Sequence, residues 1–98
     1  MIDAAELIDN TFLRQFQMDV EGELATIEYS LQDRKIFLTK LVVPENADDN
    51  EFVEDFLRLV MENIQDRNIS VVPTAPPIAK FIRRNRRYKS MLPVGVRI

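Results

Sequence analysis

The chain has 98 residues, 46% hydrophobic and 30% charged, which is enough for one modest core and predicts a single domain over residues 1–98. It contains no cysteine and no histidine, which excludes disulfides, thiol nucleophiles and the commonest general base and metal ligand. It has only two glycines, so every glycine-rich phosphate-binding motif is excluded as well.

The net charge of −3 hides an uneven distribution along the chain. All sixteen acidic residues lie in 1–66 together with five basic residues, for a local charge of −11. Residues 67–98 carry eight basic residues and no acid, for a local charge of +8, and the two parts together give −3. Two interpretations stay open: an anionic partner binds the basic part, or the basic part docks on the acidic part of the same fold.

The cellular location is predicted from what the sequence lacks. No apolar segment approaches the ~20 residues that span a bilayer. The first ten residues also lack the basic start and apolar stretch of a signal peptide. We therefore expect a cytoplasmic protein that does not enter a membrane.

The first part of the chain predicts three strands. Residues 3–9 are expected to form a short helix or an irregular lead-in, and Phe12–Met18 alternates as a strand does. Glu23–Leu31 is the clearest strand, and Lys35–Val43 is a third one that Pro44 ends. The predicted apolar faces are Phe12, Phe16 and Met18 in the first strand and Ala25, Ile27, Tyr29 and Leu31 in the second.

A long helix is predicted from about Asp48 to Asp66. Asp48 and Glu51 have the spacing of a capping box, and Asn68 is a plausible left-handed stop. The apolar stripe of this helix consists of Phe52, Val53, Phe56, Leu57, Val60 and Ile64. A short buried strand follows at Ile69–Val72, so the helix becomes a crossover between two parallel strands.

A second helix is predicted at Pro77–Asn85, with Thr74 as its cap and Ile78, Phe81 and Ile82 as its buried face. The element order is therefore β-β-β-α-β-α. This order predicts an α+β fold, with an antiparallel sheet that ends in one parallel, splayed pair.

The order and three sequence segments resemble the GNAT (acyl-CoA N-acyltransferase) fold in its smallest form. These segments are ATIEYSL at 25–31, KIFLTKLVVP at 35–44 and NISVVPTAPPIAKFIRRNRRY at 68–88. They resemble the small single-domain GNAT-like family known as N-acetyltransferase domain-containing proteins, over roughly residues 12–92. The resemblance implies acetyl-CoA as cofactor, held by the main-chain amides of Val42 and Val43 and by Arg84 and Asn85.

Three functional positions depart from the pattern of that family. Asp49 and Glu51 occupy the Gly-x-Gly positions at which backbone amides approach the coenzyme pyrophosphate. Ala75 replaces the family's cysteine, and Lys40-Leu41 replaces its His-Thr. We therefore expect a non-catalytic GNAT-like binding domain of unknown partner, with no catalytic residue assigned. The alternative is an active N-acetyltransferase with an atypical acetyl-CoA site.

Two charged clusters allow a functional and a structural interpretation. Asp48, Asp49, Glu51, Glu54 and Asp55 provide oxygens that suit a divalent cation, but capping and a solvated helix face are favoured and no metal is expected. The basic segment 80–89 suits an anion or a nucleic acid, with Tyr88 available for stacking. Its structural interpretation is a solvated or internally paired face.

The sequence also suggests interaction partners for Lys40 and Arg84. Lys40 is expected to pair with Glu28 across the sheet rather than to face a pocket. Arg84 and Asn85 either hold an anionic ligand or serve as an exposed residue and a helix end.

Overall fold

One mixed sheet and two helices build the fold. The computed structural model describes residues 6–47, 50–96 and 98. The strands are β1 (Ile8–Asn10), β2 (Gln15–Val20), β3 (Glu23–Gln32), β4 (Lys35–Val42) and β5 (Ser70–Pro73). The helices are α1 (Asn50–Asp66) and α2 (Pro76–Arg84), and short 3-10 segments cover Glu45–Ala47 and Arg86–Met91. The strands lie in the order β1-β2-β3-β4-β5, so the predicted α+β fold is confirmed.

Tight turns connect the antiparallel strands β2, β3 and β4. Glu21 (φ 51°) and Gly22 (φ 90°) form the first turn, and Asp33 (φ 49°) and Arg34 (φ 61°) form the second. Two consecutive residues with positive φ give the turn a twist that matches the twist of a hairpin's strands. These turns fix the register, so that Phe16 lies opposite Ile27 and Tyr29 lies opposite Leu38.

The start of the chain differs from the prediction. Residues 1–5 lie outside the described residues, and Ile8–Asn10 forms an edge strand rather than a helix. The strand predicted from Phe12 begins only at Gln15, and the Phe12 side chain is 92% exposed. The reason is a local turn, in which the Asn10 side-chain oxygen accepts a hydrogen bond from the Leu13 amide at 3.0 Å.

The helices cover one face of the sheet. The fully buried side chains come from alternate strand positions and from both helices: Phe16, Met18, Ala25, Ile27, Ile36, Leu38, Phe56, Val60, Met61, Ile64, Val71, Ile78 and Ile82. The α1 stripe and the α2 face are therefore core, as predicted. Leu31 lies opposite Ile36 on this same face, as predicted, but near the end of β3 it is 52% exposed. Neither described helix is long and apolar enough to cross a membrane.

The crossover α1 joins the parallel pair β4 and β5. Asn68 (φ 59°) follows the helix in the left-handed conformation that was predicted to stop it. Ser70–Pro73 then pairs in parallel with Lys35–Leu38. The predicted capping residue Asp48 lies outside the described residues.

The ends of α2 correct one expectation and confirm another. Thr74 does not cap the helix: Ala75 is the N-cap, and the Thr74 hydroxyl donates to the Leu38 carbonyl at 3.0 Å. Two prolines in the first turn need no capping partner, because they have no amide N–H. Asn85 ends the helix as predicted, and its side-chain nitrogen donates to the Phe81 carbonyl at 2.9 Å.

A charged network ties β1 to the end of α1. The Tyr29 hydroxyl donates to Asp9 at 2.5 Å, and Arg67 forms an ion pair with the other oxygen of the same carboxylate. The Arg67 guanidinium also lies 5.7 Å from the centre of the Phe16 ring. Burial, helped by the Asp9 carboxylate, raises the pKa of Tyr29 to about 12.

Candidate binding cleft

The parallel strands separate at Leu38. Ladder pairing of β4 with β5 ends at Leu38 and Pro73. The Leu38 carbonyl then accepts the amides of Thr74 at 3.1 Å and Ala75 at 3.0 Å, which turn the chain away into α2. The ladder of β4 with β3 shifts its register at the same level, so no residue of β3 lies opposite Thr39, whose hydroxyl donates to the Glu28 carbonyl at 3.2 Å. Beyond this point β4 pairs only with β3 among the described residues, and a gap opens beside it.

This gap is a cleft bounded by β4, α1 and α2. Its volume is about 410 Å³, within the usual size range of small-molecule sites. Its lining consists of Leu41, Val43, Val53, Leu57, Pro77, Lys80 and Arg84. The floor is therefore apolar, and the two cations Lys80 and Arg84 come from the same side of α2.

The cleft contains two of the four residues that the family resemblance predicts for the coenzyme. Val43 and Arg84 both line it, one at the end of β4 and one at the end of α2. Val42 and Asn85 are not among the lining residues. Val42 is 41% exposed and lies opposite Thr26 in the ladder, and Asn85 uses its side chain to cap α2.

One acidic side chain of α1 contacts a residue that lines the cleft. Glu54 accepts a hydrogen bond from Arg84 at 2.7 Å, so this arginine is already paired with a carboxylate. Glu51 lies in the first turn of α1 and is exposed. The other acid at a glycine position of the family, Asp49, lies outside the described residues, as does Asp48. A carboxylate in the first turn of a helix is stabilised by the helix dipole, which gives Glu51 a structural role.

The remaining family positions are also placed by the fold. Ala75 is buried at the point where the strands separate, and its methyl group offers no nucleophile. Leu41 lines the cleft, whereas Lys40 lies opposite Glu28 in the ladder. Lys40 and Glu28, both in the described part of the chain, are therefore neighbours across the sheet, as predicted, but their side chains do not form an ion pair.

The sequence predicts that Lys80, Arg83 and Arg84 face solvent or the cleft, and of these Lys80 and Arg84 line the cleft. Pro77, Lys80 and Arg84 are three and four residues apart, which puts them on one side of an α-helix. This spacing was readable from the sequence once Pro77 was placed in the helix. The contributions of Val53 and Leu57 were not readable, because they depend on how α1 packs over β4.

Other grooves on the protein have volumes similar to that of the cleft. A groove of about 370 Å³ is lined by Glu62, Gln65, Arg87 and Tyr88, and another of about 440 Å³ lies near the C-terminal end. Neither contains a residue predicted for the coenzyme. Among residues 6–47, 50–96 and 98, no group of three or more acidic side chains is arranged to hold a metal ion.

The fold and the cleft define a class of protein. A crossover helix that joins two parallel strands, with a cleft where these strands separate, is the arrangement predicted for an acyl-CoA N-acyltransferase fold. A family model described as GCN5-related N-acetyl-transferase matches residues 15–91, more than three quarters of the chain. The chain therefore belongs to the GCN5-related N-acetyltransferase family, and the predicted resemblance is confirmed. A comparison with curated proteins finds no match.

Proposed function

We propose that this protein is a non-catalytic member of its family, a GNAT-like domain that acts by binding and does not take up acetyl-CoA in the usual way. The observation that carries the proposal is the ion pair between Arg84, which lines the cleft, and Glu54 of α1. By the resemblance to the family, Glu51 in the first turn of α1 takes the position of a glycine. A paired arginine and an acidic helix start are a poor match for a pyrophosphate.

The electrostatic cost of a bound pyrophosphate supports this proposal. A carboxylate 4–6 Å from a phosphate costs about 3 kcal/mol at an effective dielectric constant near 20. Two such contacts, at Asp49 and Glu51, would cancel most of the binding free energy of a micromolar ligand, which is about 8 kcal/mol. Side chains at these positions also take the space that glycine leaves open for the coenzyme.

The absence of reactive groups supports the non-catalytic part of the proposal. The sequence has no thiol and no imidazole, and Ala75 stands where the family has its cysteine. The usual groups for proton transfer and for covalent catalysis, an imidazole and a thiol, are therefore missing. Tyr29 could not replace them, because it is buried in the network with Asp9 and does not line the cleft.

A second candidate is an active N-acetyltransferase with an atypical acetyl-CoA site. It is favoured by one observation, the presence of Val43 and Arg84 in the same cleft. In this hypothesis the main-chain amides of Val42 and Val43 hold the pantetheine arm, and Arg84 leaves Glu54 to hold a phosphate. Family membership makes acetyl-CoA the ligand to test first.

Isothermal titration with acetyl-CoA separates the two candidates. We expect no dissociation constant in the micromolar range for the natural chain. The double variant Asp49→Gly, Glu51→Gly should bind more tightly, by up to about 100-fold for each like-charge contact that is removed. A micromolar dissociation constant for the natural chain would contradict the proposal and support the second candidate.

A matched control distinguishes a local effect from a change in net charge. The variant Asp33→Asn, Glu62→Gln removes two acidic charges at the β3–β4 turn and in the second half of α1, away from the cleft lining. We expect this variant to leave acetyl-CoA affinity unchanged. If it raised the affinity as much as the glycine variant does, the local carboxylates would not be the reason for weak binding.

A further inference from the structure

The basic segment 80–89 presents four cations to solvent. Lys80 and Arg83 lie on the exposed side of α2, and Arg86 and Lys89 lie on the 3-10 segment that follows. Lys80 and Arg83 are separated by a rise of about 4.5 Å along α2, and Arg86 and Lys89 by about 6 Å along the 3-10 segment that follows Asn85. We call these four residues the basic face.

The cations of the basic face are not neutralised by the fold. Arg84 pairs with Glu54 and Arg67 pairs with Asp9. In contrast, none of the four basic-face cations forms an ion pair with any residue that the structure describes. Like charges three residues apart on a helix repel each other, at a cost of a few tenths of a kcal/mol per pair. The hypothesis of internal pairing therefore holds for only part of the basic segment.

The basic face has no exposed aromatic side chain of its own, although Lys80 and Lys89 each border an apolar groove. The aromatic residues between the cations are buried: Phe81 and Tyr88 are 2% and 3% exposed, and their rings stack at 5.5 Å. Arg87 covers the outer side of the Tyr88 ring at 4.7 Å. Tyr88 is therefore not available to stack on a base, contrary to the expectation, because its side chain is buried.

These features favour one kind of partner. Stable protein partners usually bury aromatic or aliphatic side chains at the centre of an interface. Arg83 and Arg86, which border neither groove, are exposed cations, and the aromatic residues between the four cations are buried. Phosphates need only cations and N–H donors, and an arginine can hold a phosphate with two parallel hydrogen bonds. A surface with cations but no base-stacking residue would contact the nucleic-acid backbone without reading its sequence.

We propose that the basic face binds the phosphate backbone of nucleic acid, independently of base sequence and separately from the cleft. Of its four cations only Lys80 also lines the cleft, so the two sites can be tested independently. Binding of this kind depends on the release of counterions from the strand and therefore weakens steeply with salt.

Fluorescence anisotropy with a labelled oligo(dT) single strand tests the proposal. Four phosphate contacts predict a slope of about −2.8 for the logarithm of the association constant against the logarithm of salt concentration. Affinity should fall about 50-fold between ~50 and ~200 mM NaCl. The variant Arg83→Gln, Arg86→Gln, which leaves every cleft residue in place, should reduce the slope to about −1.4.

The control variant Lys35→Gln, Lys40→Gln removes the same charge from exposed positions on β4 and should keep the slope of the natural chain. A mixed-base strand should bind as oligo(dT) does. The proposal would be overturned by no binding at ~50 mM NaCl, or by equal losses in both variants. It would also be overturned if poly-glutamate or phosphatidylserine vesicles bound the basic face more tightly than the strand does, since an acidic protein or a membrane would then be the better partner.

Discussion

Three residues from distant parts of the chain form one partly buried polar network. Asp9, Tyr29 and Arg67 come from β1, from β3 and from just after α1, and the carboxylate accepts from both of the others. The sequence predicts that Tyr29 faces the core, because it alternates with Ala25 and Ile27. It does not predict the Asp9–Arg67 pair, since 58 positions separate these residues and no periodic pattern links them.

The pKa of Tyr29 predicts how stability changes at alkaline pH. An unfolded tyrosine releases its proton near pH 10, whereas burial raises the pKa of folded Tyr29 to about 12. Between these values the unfolded state binds fewer protons than the folded state, so the free energy of unfolding decreases as pH rises. We expect urea unfolding to show a decrease in the free energy of unfolding between pH 10 and about 12. Below pH 10, Tyr29 should contribute nothing to any change in stability with pH.

The variant Tyr29→Phe isolates this effect. It keeps a ring that packs 5.1 Å from Phe16 but removes the hydroxyl, so it should lower stability at neutral pH by about 1–3 kcal/mol. It should also abolish the decrease in the free energy of unfolding that Tyr29 causes at alkaline pH. Tyr88→Phe is the matched control and should still show that decrease. An unchanged pH profile in Tyr29→Phe would mean that Tyr29 does not titrate as proposed.

Helix α1 is the element that the sequence predicts best. Its apolar stripe repeats over four turns, and the central members Phe56, Leu57, Val60 and Ile64 are buried as predicted. Long periodic segments are predictable because many positions support the same interpretation. The start of β2 was mispredicted for the opposite reason. Phe12 fits a short alternating pattern, but the turn at Asn10–Arg14 separates it from the strand.

Phe56 and Phe12 provide a matched pair of tests at this scale. Phe56 is 0% exposed, so Phe56→Ala should reduce the free energy of unfolding by about 3–5 kcal/mol. Phe12 is 92% exposed, so Phe12→Ala should change it by less than about 0.5 kcal/mol. Urea unfolding of both variants measures the difference. A loss below about 1 kcal/mol in Phe56→Ala would mean that the stripe is not part of the core.

At the scale of the whole molecule, the sequence predicts the elements around the cleft but not its lining. The crossover pattern predicts a parallel pair that splays, and the resemblance places Val43 and Arg84 near the coenzyme. The bond between Arg84 and Glu54 depends on the angle at which α2 packs against α1, which no local pattern encodes. Val42 and Asn85 were predicted from the resemblance alone and do not line the cleft: Val42 pairs with Thr26 in the ladder, and the Asn85 side chain caps α2.

The separation of charge along the chain gives a test of the whole molecule. If the basic C-terminal part were held by the acidic part, high salt would screen many attractive pairs and stability would fall by several kcal/mol. Only Arg67 and Arg84 of that part form ion pairs with described residues, and exposed pairs contribute about 1 kcal/mol or less. Salt also screens the repulsion within the basic face.

We therefore expect urea unfolding at ~50 and ~500 mM NaCl to give free energies of unfolding that agree within about 1 kcal/mol. A large loss of stability at high salt would show that the basic part is neutralised within the fold and is not available to an anionic partner.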